Sequence, residues 1–211
     1  MIVSTGNLIG FAAVSLGMAL TPGPNMIYLV SRSITQGRRA GLISLVGVVA
    51  AFIILMLAAA LGLTALLMAV PFAYDAIRLA GAAYLFWLAW QSLRPGGSSP
   101  FSIRPLRADT PRRLLAMGFL TNILNPKAVV LYLSLLPQFI DVKAGHVFAQ
   151  SISLCTVQMM LSATVNGIMV MAAGTIAGFL ATRPSWAMAQ RWLMGTVLGG
   201  LAMRMALDAR R

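Results

Sequence analysis

Two proline-containing segments hold the residues of this sequence that are best suited to bind a small charged molecule. The first is Thr21–Asn25, in which Pro22 and Pro24 flank Gly23 within an uncharged run. A proline removes an amide donor and clashes with the preceding turn, so a helix entering this segment must break. The break frees carbonyls that attract a cation, and it starts a half-helix whose positive end attracts an anion. A plain kink is the alternative, but two prolines around a glycine favour a zwitterion site.

The second segment contains Asn122, Asn125, Pro126 and Lys127. Lys127 is the only charged residue in the run 114–140, and a lysine at the middle of a bilayer costs roughly 2.5–3.5 kcal/mol. A substrate carboxylate or the carbonyls freed by the first segment would offset this cost; alternatively, Lys127 reaches the interface and only anchors its helix. Paired broken helices are typical of transporter sites. The two segments together predict a substrate site made of Thr21, Pro22, Gly23, Pro24, Asn25, Asn122, Asn125, Pro126 and Lys127.

Two polar residues in a later apolar run are further candidates. Gln158 and Asn166 either line a path through the membrane or make hydrogen bonds between helices. His146 stands alone, and Cys155 is the only cysteine. The sequence therefore predicts no metal site, disulfide or cofactor.

Membrane-spanning helices must position these residues. Of 211 residues, 59% are hydrophobic and 9% are charged, whereas soluble domains carry about 25% charged residues. Several uncharged runs exceed the roughly 20 residues that cross a bilayer as a helix. We expect an all-α membrane protein with six spans, the first and fourth broken by the proline segments: about Asn7–Val30, Gly41–Leu66, Phe72–Leu93, Leu114–Ile140, Val147–Phe179 and Trp186–Leu207. The sixth is the weakest, so five spans are the alternative.

A polar linker divides the predicted spans into two groups of three. Residues 1–93 form the first three-helix repeat, 94–113 the basic linker and 114–211 the second repeat. Because three is odd, a second repeat like the first must enter the membrane from the other side, which is the inverted-repeat architecture of many transporters. Weak internal similarity supports this prediction, since Arg39–Gly41 before span two recurs as Lys143–Gly145 before span five.

Positive charge follows every second span. The formal net charge of +12 by itself would suggest nucleic-acid binding, but the arginines cluster after spans one, three and five. The positive-inside rule then places the basic loops in the cytoplasm and both termini in the periplasm of a bacterial inner membrane. We therefore expect the lipid bilayer, and no nucleic acid, as a partner. Glycines four residues apart, at 174 and 178 and at 195 and 199, favour close helix packing or, alternatively, a homodimer contact.

The proline segments and several flanking motifs resemble one known family. These motifs are Thr21–Asn25, Gly37–Gly41, Gly81–Leu85, Gly118–Lys127 and Pro137–Phe139. Across nearly the whole chain they resemble the lysine exporter (LysE) superfamily, and within it the homoserine/threonine (RhtB-type) exporters. The resemblance implies a transporter, not an enzyme, that exports amino acids or their analogues, usually in exchange for protons. It also implies that the two proline motifs form the central site.

The sequence offers few acidic residues that could carry the exchanged protons. There are four, all aspartates, and Asp75 and Asp141, near span ends, are the candidates for proton coupling. Because no carboxylate is embedded to pair with a cationic side chain, we expect a neutral amino acid, such as homoserine, threonine or leucine. The alternatives are a membrane-embedded assembly or anchor protein, or an exporter of another small solute or cation.

Overall fold

The computed structural model describes most of the chain in three stretches and several short pieces. The described residues are 2–21, 23–69, 79–83, 85–87, 89–90, 93, 108–181, 188, 192, 195–196, 199–200, 202–203 and 206–207. Pro22, Asp75, most of the linker, and much of predicted spans three and six lie outside them.

All secondary structure in the described residues is helical. In chain order the elements are α1 (Thr5–Leu20), α2 (Pro24–Gln36), α3 (Arg38–Ala69), α4 (Pro111–Ile123), α5 (Pro126–Val130), a π-helical turn (Leu131–Leu135), a 3₁₀ turn (Leu136–Phe139) and α6 (Val147–Ala181). The described residues between 79 and 93 and between 188 and 207 are helical too. The prediction of an all-α protein is confirmed for this part of the chain.

Two helices are long and apolar enough to cross a bilayer unbroken. They are Arg38–Gly62 within α3 and Val147–Ala173 within α6, with 25 and 27 residues. Two further spans result if each bent pair counts as one: α1 with α2, bent by 51°, and α4 with Lys127–Phe139, bent by 48°. These correspond to predicted spans one, two, four and five. The six-span inverted repeat as a whole stays a prediction.

The helices extend beyond the predicted span boundaries. α3 begins at Arg38 rather than Gly41, and α2 continues to Gln36 rather than ending at Val30. The predicted boundaries follow the apolar run, whereas helical hydrogen bonding continues into the polar flanks. Arg38 and Arg39 are accordingly exposed at the start of α3.

The first half of the first broken span ends at the predicted proline segment. α1 ends at Leu20, and Thr21 donates both its amide and its hydroxyl to the Gly17 carbonyl, at 3.2 and 2.8 Å. Gly23 is extended, with φ −144° and ψ 177°, and Pro24 is the first residue of α2. Proline suits that position because the first amide of a helix has no partner within it. The extended residues Thr21 and Gly23 therefore lie between the two half-helices.

The second broken span also divides at its proline. α4 ends at Ile123, and the side-chain Oδ1 of the extended Asn125 accepts the Lys127 amide at 3.1 Å. Pro126 then opens α5. The π turn and the 3₁₀ turn that follow are absent from the sequence prediction. Pro137 explains them, because it has no amide to continue the α-helical pattern.

The two broken spans lie side by side and run antiparallel. Near the start of α1, Asn7 donates to the Phe139 carbonyl at 3.0 Å, and the Phe11 and Phe139 rings meet edge to face at 5.3 Å between centroids. Near the end of α2, Arg32 pairs with Asp109 just before α4. With opposite ends in contact, the two breaks meet at the middle.

Helices α3 and α4 pack backbone against backbone. A Cβ on Gly118 would lie 2.1 Å from the Ser44 carbonyl oxygen, and one on Gly47 would lie 2.1 Å from the Leu115 carbonyl oxygen. Only glycine allows so close an approach. This contact sets the position of α4, and hence of the second break, against α3.

The two triplets that are similar in sequence have different conformations. Arg39–Gly41 lies in the first turn of α3, whereas Lys143–Gly145 lies in the turn before α6, where Gly145 has a φ of +72°. In the turn before α3 the left-handed conformation belongs to Gly37, with a φ of +87°. The triplets are therefore not structurally equivalent, because one helix starts before its triplet and the other after it.

Candidate functional site

A cavity of about 40 Å³ lies where the two breaks meet. Side chains and backbone from both breaks, from α3 and from α6 line it. The predicted site and path residues in its lining are Thr21, Gly23, Asn25, Asn122, Asn125, Lys127, Gln158 and Asn166. One water needs roughly 10–15 Å³ on this measure, so the cavity admits about three waters and is too small for an amino acid.

Lys127 links one break to the other. Its Nζ donates to the Thr21 carbonyl at 2.6 Å. Its stem lies against Gly23, with Cδ 3.5 Å from the position that a Cβ would take. Thr21 follows the last turn of α1, where carbonyls lack partners within the helix. The lysine therefore points at the freed backbone of the other break rather than at an interface.

The two half-helices that follow the breaks differ at their first turns. In the second break, the Asn125 side chain caps the Lys127 amide. In the first, no described side chain caps α2, so the amides of Asn25 and Met26 have no partner within the helix. Both residues line the cavity. An anion in the cavity would therefore find its backbone donors at the start of α2.

Four oxygens of cavity-lining residues have no hydrogen-bond partner within the described part of the chain. They are Ser15 Oγ, Asn25 Oδ1, Asn122 Oδ1 and Asn166 Oδ1. The three asparagines are 6%, 0% and 4% exposed, respectively, and leaving a buried acceptor unpaired costs roughly 1–3 kcal/mol. Buried polar groups normally find a partner, so these oxygens mark a place where a bound molecule or water supplies donors.

The orientation of two of these amides follows from their own hydrogen bonds. Asn122 Nδ2 donates to the Val48 carbonyl at 3.1 Å, and Asn166 Nδ2 donates to the Ser162 carbonyl at 2.8 Å. Because a carbonyl only accepts, a flipped amide would lose its bond. The nitrogens are therefore committed to the backbone and the oxygens are left free, which makes the cavity rich in acceptors and suited to an ammonium group.

A polar face of α6 forms the remaining wall. Gln158, Ser162 and Asn166 follow at four-residue spacing and are buried, while Met160 and Ile168 on the same helix are 63% and 59% exposed. A polar face turned inward and an apolar face turned outward are expected for a helix between a polar site and lipid. Ser162 is absent from the predicted site, although its spacing from Gln158 and Asn166 places all three on one helix face.

Three further residues of the site carry no signal in the sequence. Ser15 and Phe52 line the cavity. Tyr132, which is 2% exposed, donates its hydroxyl to Gln158 Oε1 at 2.5 Å and so orients that side chain. Single serine and aromatic residues in apolar runs have no spacing that distinguishes them from packing residues.

Five predicted site residues are not in the described lining. Pro24 and Pro126 are the first residues of their half-helices, while Pro22 and Asp75 lie outside the described residues. Asp141 is exposed and accepts two backbone amides of the turn before α6, at 3.0 and 3.2 Å. Among the described residues, no three His, Cys, Asp or Glu side chains are grouped as metal ligands.

An ion pair joins the far end of α2 to the start of α4. Arg32 pairs with one carboxylate oxygen of Asp109, and Arg113 Nε lies 3.1 Å from the other. The Asp109 and Arg32 side chains are 6% and 11% exposed. Arg32 also lies over the Tyr28 ring, 5.3 Å from its centroid. The sequence does not predict this pair, because Arg32 in α2 and Asp109 before α4 are 77 positions apart in the chain.

Replacing Asp109 with asparagine should lower the free energy of unfolding by about 1.5–3 kcal/mol, the usual contribution of a hydrogen bond to a charged group. The physical reason is that Arg32 would keep its buried charge without a counter-charge. Thermal unfolding in detergent micelles measures the change. As a control, Arg113→Ala removes a side chain that is 69% exposed, and it should cost less than about 1 kcal/mol. Equal losses in the two variants would contradict the prediction.

Comparisons with known proteins find a family model and named relatives that match most of this chain. The family model described as LysE type translocator matches residues 16–209, a range that includes both breaks. A leucine efflux protein of Enterobacter sp. (strain 638) is 28% identical over 189 residues, which is 90% of each chain. A leucine efflux protein of Klebsiella pneumoniae is 27% identical over 205 residues, covering 95% of this chain and 94% of that one. No solved structure matches. With the family model spanning most of its length, the chain belongs to the LysE type translocator family.

Proposed function

We propose that this protein is a secondary transporter of the bacterial inner membrane that exports amino acids or their analogues. The observation that carries the proposal is that two helix breaks meet at one cavity, whose lining includes unpartnered oxygens as well as free helix amides. The similarity to leucine efflux proteins supports a substrate of that class.

An α-amino acid matches both kinds of polar group in the cavity. Its carboxylate would accept hydrogen bonds from the amides of Asn25 and Met26, where the dipole of α2 favours an anion. Its ammonium would donate to the free oxygens of Asn25, Asn122 and Asn166. A zwitterion thus fits where a simple cation or anion would leave half of the site unused.

The rest of the lining favours a neutral side chain. Its described residues include no carboxylate, so a cationic side chain would be left without a partner. Met18, Met26 and Leu131 supply apolar surface, which suits a leucine-like side chain and tolerates threonine or homoserine.

Export requires the cavity to open to each side of the membrane in turn. With the basic loops in the cytoplasm and both termini in the periplasm, the Arg32–Asp109 pair lies on the cytoplasmic side of the cavity. Because a cavity of about 40 Å³ is too small for an amino acid, the half-helices must separate to admit substrate. We expect proton antiport to drive this cycle.

Release from liposomes tests the proposal. Liposomes that contain the protein and are preloaded with radiolabelled leucine, threonine or homoserine should lose label faster than empty liposomes do. Unlabelled leucine outside should accelerate the loss by exchange, while lysine outside should not. Release at the rate of empty liposomes for all three amino acids would refute export, and acceleration by lysine would refute selectivity for neutral substrates.

A further inference from the structure

The Lys127 amine occupies the place that suits a substrate ammonium. Its partner is the Thr21 carbonyl at 2.6 Å, a carbonyl freed by the end of α1. The free oxygens of Asn25, Asn122 and Asn166 belong to the same lining. All four groups are acceptors, so the chain already places its own cation in a cation site.

The described lining contains no negative charge that would compensate for a second cation beside Lys127. Lys127 is the only ionisable residue among the lining residues that the structure describes. Tyr132 in the π-helical turn and Cys155 in α6 are buried and are neutral in their ordinary forms. Asp109 is engaged by Arg32 at the far end of α2. Two ammonium groups in this cavity would therefore repel each other without a counter-ion from the described lining, since the substrate carboxylate is placed at the amides of Asn25 and Met26.

We propose that the Lys127 amine carries the exchanged proton, and that the Lys127 ammonium and the substrate ammonium compete for the Thr21 carbonyl and the asparagine oxygens. The inference rests on the proposed export function and adds its coupling group. It requires no acidic residue within the membrane, which is consistent with a chain that has only four acidic residues.

Entry of the substrate displaces one proton from Lys127. When a zwitterion enters from the cytoplasm, the Lys127 ammonium loses one proton to water on that side and becomes a neutral amine, while the substrate brings one ammonium and one carboxylate. The loaded site is then neutral and the empty, protonated site carries one positive charge. After the substrate leaves, the amine takes a proton from the periplasmic side and carries it inward. Each cycle thus exchanges one proton for one zwitterion and moves one positive charge inward.

Local structure supports this separation of roles. Asn125 caps the Lys127 amide. The start of α5 therefore offers the substrate carboxylate fewer free amides than the uncapped start of α2 does. Gly23 leaves room for the lysine stem, whose Cδ is 3.5 Å from the position of a Cβ there. The amine is thus held at the cation side of the cavity and can withdraw along a flexible chain.

Two transport measurements test the assignment. Liposomes with an acidic interior should accumulate radiolabelled leucine through wild-type protein as protons leave. Lys127→Met should lose all accumulation driven by the proton gradient. Lys127→Arg should lose this accumulation and also the exchange of external for internal leucine, because a guanidinium stays charged and keeps the cation site occupied. Accumulation by Lys127→Met equal to that of wild type would overturn the assignment.

A binding measurement on the wild-type protein decides the question without any variant. In weakly buffered detergent solution, leucine should release about one proton per molecule bound, by linkage. Isopentylamine, which keeps the amine and lacks the carboxylate, should release protons too, whereas 4-methylpentanoate, which lacks the amine, should not. Leucine binding without proton release would overturn the inference while leaving export intact. Absence of exchange for leucine, threonine and homoserine would instead refute the proposed function itself.

Discussion

Alanine in place of Gly118 should destabilise the protein by more than about 3 kcal/mol, above the usual cost of overpacking. The added methyl group would lie 2.1 Å from the Ser44 carbonyl oxygen in the backbone of α3. A flexible side chain could turn away from such a contact, but the backbone of a packed helix cannot. Helix α4 would have to separate from α3, which would also break the bond from Asn122 to the Val48 carbonyl. We therefore expect little folded protein and no transport.

Two glycines of α3 provide a comparison for Gly118→Ala. A Cβ on Gly62 would meet nothing within 4 Å, so Gly62→Ala should leave stability unchanged or raise it by up to roughly 1 kcal/mol. Gly47→Ala should behave like Gly118→Ala, since its methyl group would meet the Leu115 carbonyl oxygen at 2.1 Å. Size-exclusion chromatography and thermal unfolding in detergent measure the yield and stability. A Gly118→Ala protein as stable as Gly62→Ala would refute the backbone contact.

Alanine in place of Asn166 should weaken substrate binding by about tenfold or more, because a hydrogen bond to an ammonium contributes roughly 1.5–3 kcal/mol. Stability should stay unchanged or rise, since the variant removes a buried oxygen that has no partner in the described structure. The bond that is lost, from Nδ2 to the Ser162 carbonyl, lies within α6 itself, and alanine favours a helix more than asparagine does. Leucine binding and thermal unfolding, measured on one preparation, check both parts.

Two variants of α6 separate this effect from a general disturbance. Thr156 bonds to the Ile152 carbonyl within the same helix and is not in the cavity lining, so Thr156→Ala should leave binding unchanged. Asn166→Asp should extend transport to lysine, because it introduces the carboxylate that a cationic side chain needs. If Asn166→Ala lowered binding and stability together, the residue would have a structural role instead.

The positions of both helix breaks and of half of the residues that line the cavity are predictable from the sequence. Pro24 and Pro126 act on the turn that contains them, so their effect does not depend on the rest of the fold. Lys127, a lone charge in an apolar run, must find a polar partner wherever the helix goes. Six of the nine predicted substrate-binding residues line the cavity, and each of the six is near one of those prolines or is polar in apolar surroundings. Gln158 and Asn166 line the cavity for the second reason.

The residues by themselves thus determined the all-helical membrane character, the two breaks and the polar groups that need partners, because these depend on the chemistry of one turn or one apolar run. The tertiary structure alone decided which partners they found. Thr21 and Lys127 are 106 positions apart, and Arg32 and Asp109 are 77 apart. The hydrogen bond from Lys127 to a backbone carbonyl depends on how the helices pack, as does the close backbone contact at Gly118. No local preference of the chain specifies which carbonyl or which backbone segment comes within reach.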